Sequence, residues 1–353
     1  MNKEKDTNAV LVSIRCTVYN HEKYIRKALD GFVMQKTNFR FEAIVHDDAS
    51  TDGTAAIIRE YAEKYPDIII PIYEKENQYS KHDGSLIRIM DAQMRGKYIA
   101  YCEGDDCWTD PLKLQKQVDF LEAHPDYVFS HTDFDKEDVN TGWRQHNTWK
   151  KQHNFNQIDH DWGEQLAGLL LQGKYTIQTL TVCVRNDMRV KAHKNAQKVF
   201  NSGLLMGDTP LWIELSRLGK VHFLSDSTAT YHIIGESATH SKNFSNVIRF
   251  YSSCIDMVDI FSNKYHLEKA AKETKQAYIH HLLKDIYMDK REYLEEIDEK
   301  VIRGEKLNVY NSLLQRTISG PLFVKRIILF YVKAIYKFKH YVEFFITKYI
   351  GWI

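Results

Sequence analysis

The 353-residue chain lacks several features that would point to common chemistries. It has no Cys-x-x-Cys pair. Its five cysteines, Cys16, Cys102, Cys107, Cys183 and Cys254, are odd in number, and four lie in or beside apolar runs. That usage predicts reduced, structural thiols in a cytoplasmic compartment. The segment CTVYNHEKY contains no glycine, which argues against a glycine-rich phosphate loop after the first strand. No run of about 18 uncharged apolar residues occurs, so a conventional membrane span is not expected. MNKEKDTNAV has no apolar stretch of signal-peptide length, which predicts a protein that is not secreted. A formal net charge of +1 gives no global reason to expect nucleic acid. No internal repeat is found.

Hydrophobic residues make up 43% of the chain, enough for a sizeable core. The first 135 residues alternate strand and helix patterns. VLVSIRCTV (10–18), FEAIVHDD (41–48), DIIIPIYE (67–74), YIAYC (98–102) and YVFSHTDF (127–134) read as strands, with Pro71 marking an edge or a bulge. Segments 22–35, 53–65, 85–96 and 110–124 read as helices, the last with Asp110 as N-cap and Pro111 at the first helical position. This rhythm predicts an α/β fold, a mostly parallel sheet flanked by helices. Ligands of such sheets bind beyond the carboxyl ends of the strands. Two acidic clusters fall there: Asp47 and Asp48 after one strand, and Glu103, Asp105 and Asp106 after another. Residues 136–163, polar and irregular with Trp143, Trp149 and Trp162, read as a surface loop or lid. TLTVCVRND (179–187) reads as a strand, 202–219 carries a helix, and VHFLSDSTATYHI (221–233) forms one or two strands. From about 244 the pattern is helical.

Like charges a few ångströms apart resist ionising together. EGDD (103–106) is therefore either a solvated turn or a seat for a hard cation, which takes oxygen ligands and borrows several from substrate phosphates. HDDASTDGT (46–54) is made of turn formers; taken alone it is a tight turn before a helix or a loop that meets a base or ribose.

Together, VSIRCTVYNHEKYIRKALDGFVMQ, FEAIVHDDASTDGT and GKYIAYCEGDDCW, in this order and spacing, resemble the family 2 glycosyltransferases over roughly residues 10–240, most strongly over 10–135. The resemblance implies a GT-A fold and inverting transfer of a sugar from a nucleotide-sugar, with UDP-hexose the expected donor and Mn2+ or Mg2+ the expected cofactor. It places Thr17 and Tyr19 against the nucleobase and Asp48 at the base or ribose. EGDD stands where the family carries D-x-D-D. Asp105 and Asp106 then serve ribose and metal, and Glu103 replaces the usual first Asp. It also implies a general base at the start of a downstream helix, and Asp208 in MGDTPLWIEL matches, although an N-cap role suits the position equally. His232 and His240 lie where some GT-A enzymes complete the metal shell or touch the diphosphate. Asn77, His82 and Asp83 flank the nucleotide without an assigned role.

The expected layout is a GT-A domain over 1–240, with a nucleotide-sugar half (10–135) and an acceptor half (136–240), then a helical region (241–319) and a basic amphipathic helix (320–353). In that last helix Val324, Ile328, Tyr331, Ile335, Phe338, Val342 and Phe345 share one face, and six Lys and Arg stand against one acid, Glu343. It predicts peripheral attachment at the inner face of the cell membrane and a lipid-linked or other saccharide acceptor of cell-surface polysaccharide synthesis. The alternative for the same stripe is internal packing, or a homodimer through a coiled coil. The rival functions are a nucleotidyltransferase acting on sugar phosphates and a non-catalytic carbohydrate-binding protein.

Overall fold

The computed structural model describes residues 9–81, 83–153, 163–196, 204–235, 243–285, 297–302 and 315. His82, Trp162, His240 and the segment 320–353 lie outside the described residues. The chain divides into two compact units, Met1–Gly235 and Glu236–Ile353.

The first unit is built on a nine-stranded sheet. Strands β1 (Val10–Val18), β2 (Arg40–Asp47), β3 (Ile69–Tyr73) and β4 (Tyr98–Tyr101) run parallel in the order β3-β2-β1-β4. Helices α1 (Ile25–Val33), α2 (Thr54–Lys64) and α3 (Ser85–Gln93) connect them. Pro71 sits in the edge strand β3, where its missing N–H costs no ladder bond to a further strand. The chain continues through β5 (Cys107–Trp108), α4 (Lys113–Ala123), β6 (Tyr127–Asp138), β7 (Arg144–Gln145), α5 (Thr148–Gln152), α6 (Glu164–Leu171), β8 (Cys183–Arg185), α7 (Asn186–Asn195), α8 (Asp208–Ser216) and β9 (Lys220–Ile233). Beyond β4 the sheet turns mixed. The short strand β8 enters antiparallel between β4 and β6, β6 runs parallel to β9, and β5 closes antiparallel on β9.

The ends of β1 and β4 are held in one frame. At the base, the Ser13 hydroxyl donates to the Glu42 carboxylate, Arg95 pairs with the same carboxylate, and the Gly96 N–H donates to Ser13 Oγ at 2.8 Å. At the top the ladder runs past β4: Cys102 N–H donates to Arg15 O and Gly104 N–H to Thr17 O, both at 3.1 Å. The acidic turn 103–106 is thus an extension of the central strand, positioned by backbone bonds. Its far side is pinned by Trp108. That ring stacks edge-on against Phe32 of α1, its Nε1 donates to Leu180 O at 2.9 Å, and its backbone pairs with β9.

Three sequence expectations change. Asp110 does not cap α4, which begins at Lys113; its carboxylate accepts from Leu112 N–H inside the preceding turn and from Lys116. Residues 136–153 are not a lid. β6 extends to Asp138, β7 and α5 follow, and Trp149 is fully buried against Phe223, Tyr175 and His131 while its Nε1 donates to Thr176 O. A Trp ring of that size yields more from burial than from exposure in a loop. The predicted strand 179–187 is a 3-10 turn, Thr179–Thr181, followed by β8 alone. All five cysteines are buried and free.

The second unit holds helices α9 (Phe244–Tyr265) and α10 (Glu268–Asp285) and a π-helical turn Asp298–Ile302. Asn243 caps α9 by accepting the Ser245 N–H, and Phe244, Ile248, Ile255, Ile279, Leu282, Leu283, Ile297 and Val301 form its core. Among the described residues no helix is long and apolar enough to cross a membrane.

Candidate active site

The carboxyl ends of β1, β2 and β4 gather the residues the sequence singles out. Thr17 ends the inner part of β1, with its carbonyl holding the acidic turn, and Tyr19 follows it with 46% of its surface exposed. The loop 19–22 is stitched to 50–53. Asn20 N–H donates to Ser50 Oγ, Thr51 N–H to Asn20 Oδ1, Glu22 N–H to Asp52, and Gly53 N–H to Glu22. Asn20 and Ala49 both adopt positive φ, 55° and 64°. A left-handed alanine costs about 1–2 kcal/mol, which this cross-bonding offsets.

Asp48 is buried, and both its oxygens are in use: Oδ1 accepts Gln78 N–H at 2.6 Å and Oδ2 accepts Tyr79 N–H at 3.0 Å. Asn77 Nδ2 donates to the Asp48 carbonyl at 3.2 Å. Asp48 therefore shapes the loop 77–79, and that loop reaches across to the 204–207 segment through Tyr79 Oη and Leu205 O, 3.5 Å apart.

The acidic turn needs its glycine. A Cβ on Gly104 would lie 2.8 Å from Val18 Cγ2 and 3.1 Å from His21 Nδ1, and Val18 is locked at the end of β1. Gly104→Ala is expected to displace the turn, costing about 1–3 kcal/mol of stability and most of the activity. The pair Gly104→Ala with Val18→Ala should recover part of both, since it removes the nearer clash. Thermal unfolding of the single and double variants checks this; equal midpoints would show that the turn tolerates a side chain.

Asp106 is 4% exposed, and its Oδ1 accepts His232 N–H at 2.9 Å. The His232 ring lies 2.6 Å from the Asp105 carbonyl through Nδ1. A carbonyl only accepts, so Nδ1 carries the proton, and Nε2 faces Glu137 at 3.8 Å. Burial holds the His232 pKa below its usual value. In this arrangement His232 clamps the turn to β9, and only Nε2 remains for any ligand. Asp105 is partly exposed, with His21 Nδ1 3.9 Å from its Oδ1. Burial also lowers the His21 pKa, opposed by Asp105 and Asp52, and its Nδ1 is buried without a hydrogen-bond partner.

Asp208 opens α8 after Gly207. Its Oδ1 accepts Thr209 N–H at 2.7 Å, and Thr179 Oγ1 lies 3.5 Å from Oδ2. The N-cap is Gly207, so Asp208 does not cap the helix as the sequence also allowed; it is the first helical residue, with one oxygen on the next N–H and the other facing Thr179.

The electrostatics tie these acids together. Burial, then Asp105, lifts Glu103 to about 7 against the pull of Arg15, and Asp208 adds to the rise. Burial, then Asp105 and Glu103, raises Asp106 well above the carboxylate range. Burial raises Asp208, with the Thr209 and Thr179 bonds opposing it. The Tyr231 phenol, pushed up to about 12 by burial, feels all four acids, Asp106, Asp105, Glu103 and Asp208. The phenol thus feels charge from both the β4 turn and the start of α8, about a hundred residues apart in sequence.

The profile described as Glycosyl transferase family 2 matches residues 13–189, half of the chain. The chain belongs to glycosyltransferase family 2. A Bacillus subtilis protein, TuaG, provisionally named as a glycosyltransferase of teichuronic acid biosynthesis, is 34% identical over 113 residues, 31% of this chain and 42% of its own. The matched stretches span about a third to two-fifths of the relatives' own length. Among solved structures, S. aureus TarS (1-349) in complex with UDP-GlcNAc superposes with a TM-score of 0.57 at 15% identity, over 93% of this chain and 92% of that one. The mannosyltransferase PcManGT from Pyrobaculum calidifontis, in complex with GDP-Man and Mn2+, gives 0.50 at 14%, over 97% and 86%. The mixed, curled sheet with its helices is thus the GT-A fold that the motifs of this family 2 chain imply.

Carboxylates under mutual repulsion suit a hard divalent cation, whose charge relieves the repulsion and whose preferred ligands are oxygens. Among the described residues no three His, Cys, Asp or Glu side chains close on a common point. Glu103, Asp105 and Asp106 on one turn are oxygen donors of the kind a hard divalent cation takes.

His21, Thr179, Glu137 and Tyr231 were not assigned from the sequence. His21 lies inside the motif NHE, but its approach to Asp105 is set by the close contact of two loops. Thr179 and Glu137 carried no sequence signal.

Proposed function

We propose that this protein transfers a sugar, with inversion, from a nucleotide-sugar to a hydroxyl of a saccharide acceptor in cell-surface polysaccharide synthesis. The observation that carries the reading is the acidic turn 103–106, held at the carboxyl end of β4 by backbone bonds to β1, together with the separate acid Asp208 at the start of α8. A turn of three acids is a place for a diphosphate and its cation, and a separate, partly buried acid at a helix start is a place for a base.

Thr17, Tyr19 and the Asp48-held loop 77–79 bind the nucleoside. Asp105 takes the ribose, and Asp106, with Glu103 and the His232 Nε2, would hold a cation. Mn2+ or Mg2+ bound there would offset the charge that grows on the leaving diphosphate. Asp208 accepts the proton of the acceptor hydroxyl; its raised pKa lies closer to working pH, which favours general-base catalysis. Thr179 and Thr209 fix the direction of its carboxylate. The names and ligands of TuaG, TarS and PcManGT support a nucleotide-sugar donor, a divalent metal and a polysaccharide acceptor. UDP-hexose is the donor we favour.

The test is hydrolysis of a nucleotide-sugar panel with Mn2+. Release of nucleoside diphosphate from one donor is the expected result. Formation of nucleotide-sugar from sugar phosphate and nucleoside triphosphate would instead favour a nucleotidyltransferase. Saccharide binding without turnover would favour a binding protein.

The basic stripe of 320–353 carries a further expectation, attachment to an anionic membrane surface. Each Lys or Arg adds about 1 kcal/mol near such a surface. The full chain should co-sediment with anionic but not neutral liposomes at low salt, and a chain ending at Ser319 should not. Equal behaviour of the two would assign the stripe to packing or dimerisation.

A further inference from the structure

Arg15 is out of place in an apolar strand. It lies on β1 opposite Ile44 on one side and Tyr101 on the other, and its carbonyl is locked to Cys102 N–H. Alternation puts it on the same face as Thr17, and puts Tyr101 on the same face as Glu103. The guanidinium is partly exposed and sits 5.9 Å over the Tyr101 ring. No carboxylate of the described residues lies within 4 Å of it. A cation–π contact leaves all five N–H donors without an acceptor. Beside it, Tyr101 is 4% exposed, and its hydroxyl is buried without a hydrogen-bond partner. Leaving such a group unsatisfied costs free energy that a ligand atom can recover. An arginine with no carboxylate in ion-pair range among the described residues, its charge felt by Glu103, and an unpartnered hydroxyl donor stand one register position from the acidic turn and can take a further anionic oxygen.

We propose that Arg15 and the Tyr101 hydroxyl form an oxyanion subsite of the donor cleft, reading a negatively charged oxygen of the nucleotide-sugar. This rests on the donor reading above. Two parts of a donor carry that chemistry: the diphosphate, and the carboxylate of a uronic acid sugar. The carboxylates of the 103–106 turn repel a sugar carboxylate, whereas Arg15 can pair with it through a bidentate fork.

The experiment is titration calorimetry with Mn2+ on wild type, Arg15→Gln and Tyr101→Phe. The probes are UDP, UDP-glucose and UDP-glucuronate, with GDP, GDP-mannose and GDP-mannuronate as the second series. Arg15→Gln is expected to weaken binding by about tenfold or more, and Tyr101→Phe by a smaller factor. A loss common to all members of the bound series identifies the diphosphate as the group read. A loss confined to the uronate, with wild type preferring it over the neutral sugar, identifies the carboxylate. Tyr101→Phe removes only an unbonded buried hydroxyl, so it should keep or raise the wild-type unfolding temperature and serves as the readout if Arg15→Gln folds poorly. Unchanged affinities in both variants overturn the subsite while leaving the donor reading intact. A wild type that binds neither series overturns the donor reading, and the subsite with it.

Discussion

Asp208→Asn is expected to bind the nucleotide-sugar as the wild type does and to transfer the sugar about 10²–10⁴-fold more slowly, the usual contribution of a general base. Asparagine keeps the size of the side chain, and its Oδ1 can still accept the Thr209 N–H that opens α8. What it cannot do is take a proton from the acceptor hydroxyl. The loss should therefore fall on kcat, with donor Kd unchanged and the unfolding temperature within a few degrees of wild type. Calorimetry and turnover on the same preparation decide the matter. A Kd raised many-fold with kcat preserved would make Asp208 a binding residue and α8 a wall of the acceptor site.

Loss of metal-dependent transfer is the expected outcome for Asp106→Asn and for Asp105→Asn, with the fold intact. The Asp106 side chain accepts His232 N–H through one oxygen, which asparagine retains, while one of several repelling charges is removed. Without cation, the Asp106→Asn variant should unfold at the same temperature as wild type or higher. The pH dependence follows from the raised carboxyls. Glu103 titrates near 7 in the folded protein against 4.5 unfolded, and Asp106 is raised in the same direction. Between those values the folded state binds more protons than the unfolded state. The Glu103 contribution is full below pH 4.5 and is lost as pH rises through about 7, and Asp106 acts in the same direction. The cation-free protein should thus gain stability between pH 7.5 and 5, and Glu103→Gln should flatten that part of the curve. Mn2+ should stabilise most at the upper end, where the carboxylates are ionised. Wild-type activity at limiting Mn2+ would remove Asp106 from the metal if Asp106→Asn showed it, and Asp105 from the donor site if Asp105→Asn did. A slope unchanged by Glu103→Gln would remove the linkage.

Much of this was legible because it is local. Side-chain periods of two and of about 3.6 mark strands and helices in any context, and acids that end apolar runs must lie at strand termini. Val12, Ile14 and Cys16, or Ile25, Leu29 and Phe32, could be assigned to the core from spacing alone, and all are buried. The motif order around DDASTDGT and EGDD named the family, and Gly207-Asp208-Thr209-Pro210 announced a helix start.

Other features depend on which distant segments meet, and no local pattern encodes that. His232 looks like a free ligand until β9 brings its ring against the Asp105 carbonyl, 127 residues away. Asp48 looks like a free acceptor until the loop 77–79 fills both of its oxygens. Trp149 reads as part of an exposed loop because its neighbours are polar, yet the aromatic partners that bury it lie at 131, 175 and 223. The strand β8 reverses the sheet's direction with only three residues, too few to carry a period. Sequence alone determined the family, the parallel half of the sheet and the acids at its edge, because these follow from alternation and turn chemistry along the chain. The tertiary structure decided which oxygens and nitrogens those residues have left to use, because a hydrogen bond belongs to whichever partner the fold delivers within about 3 Å.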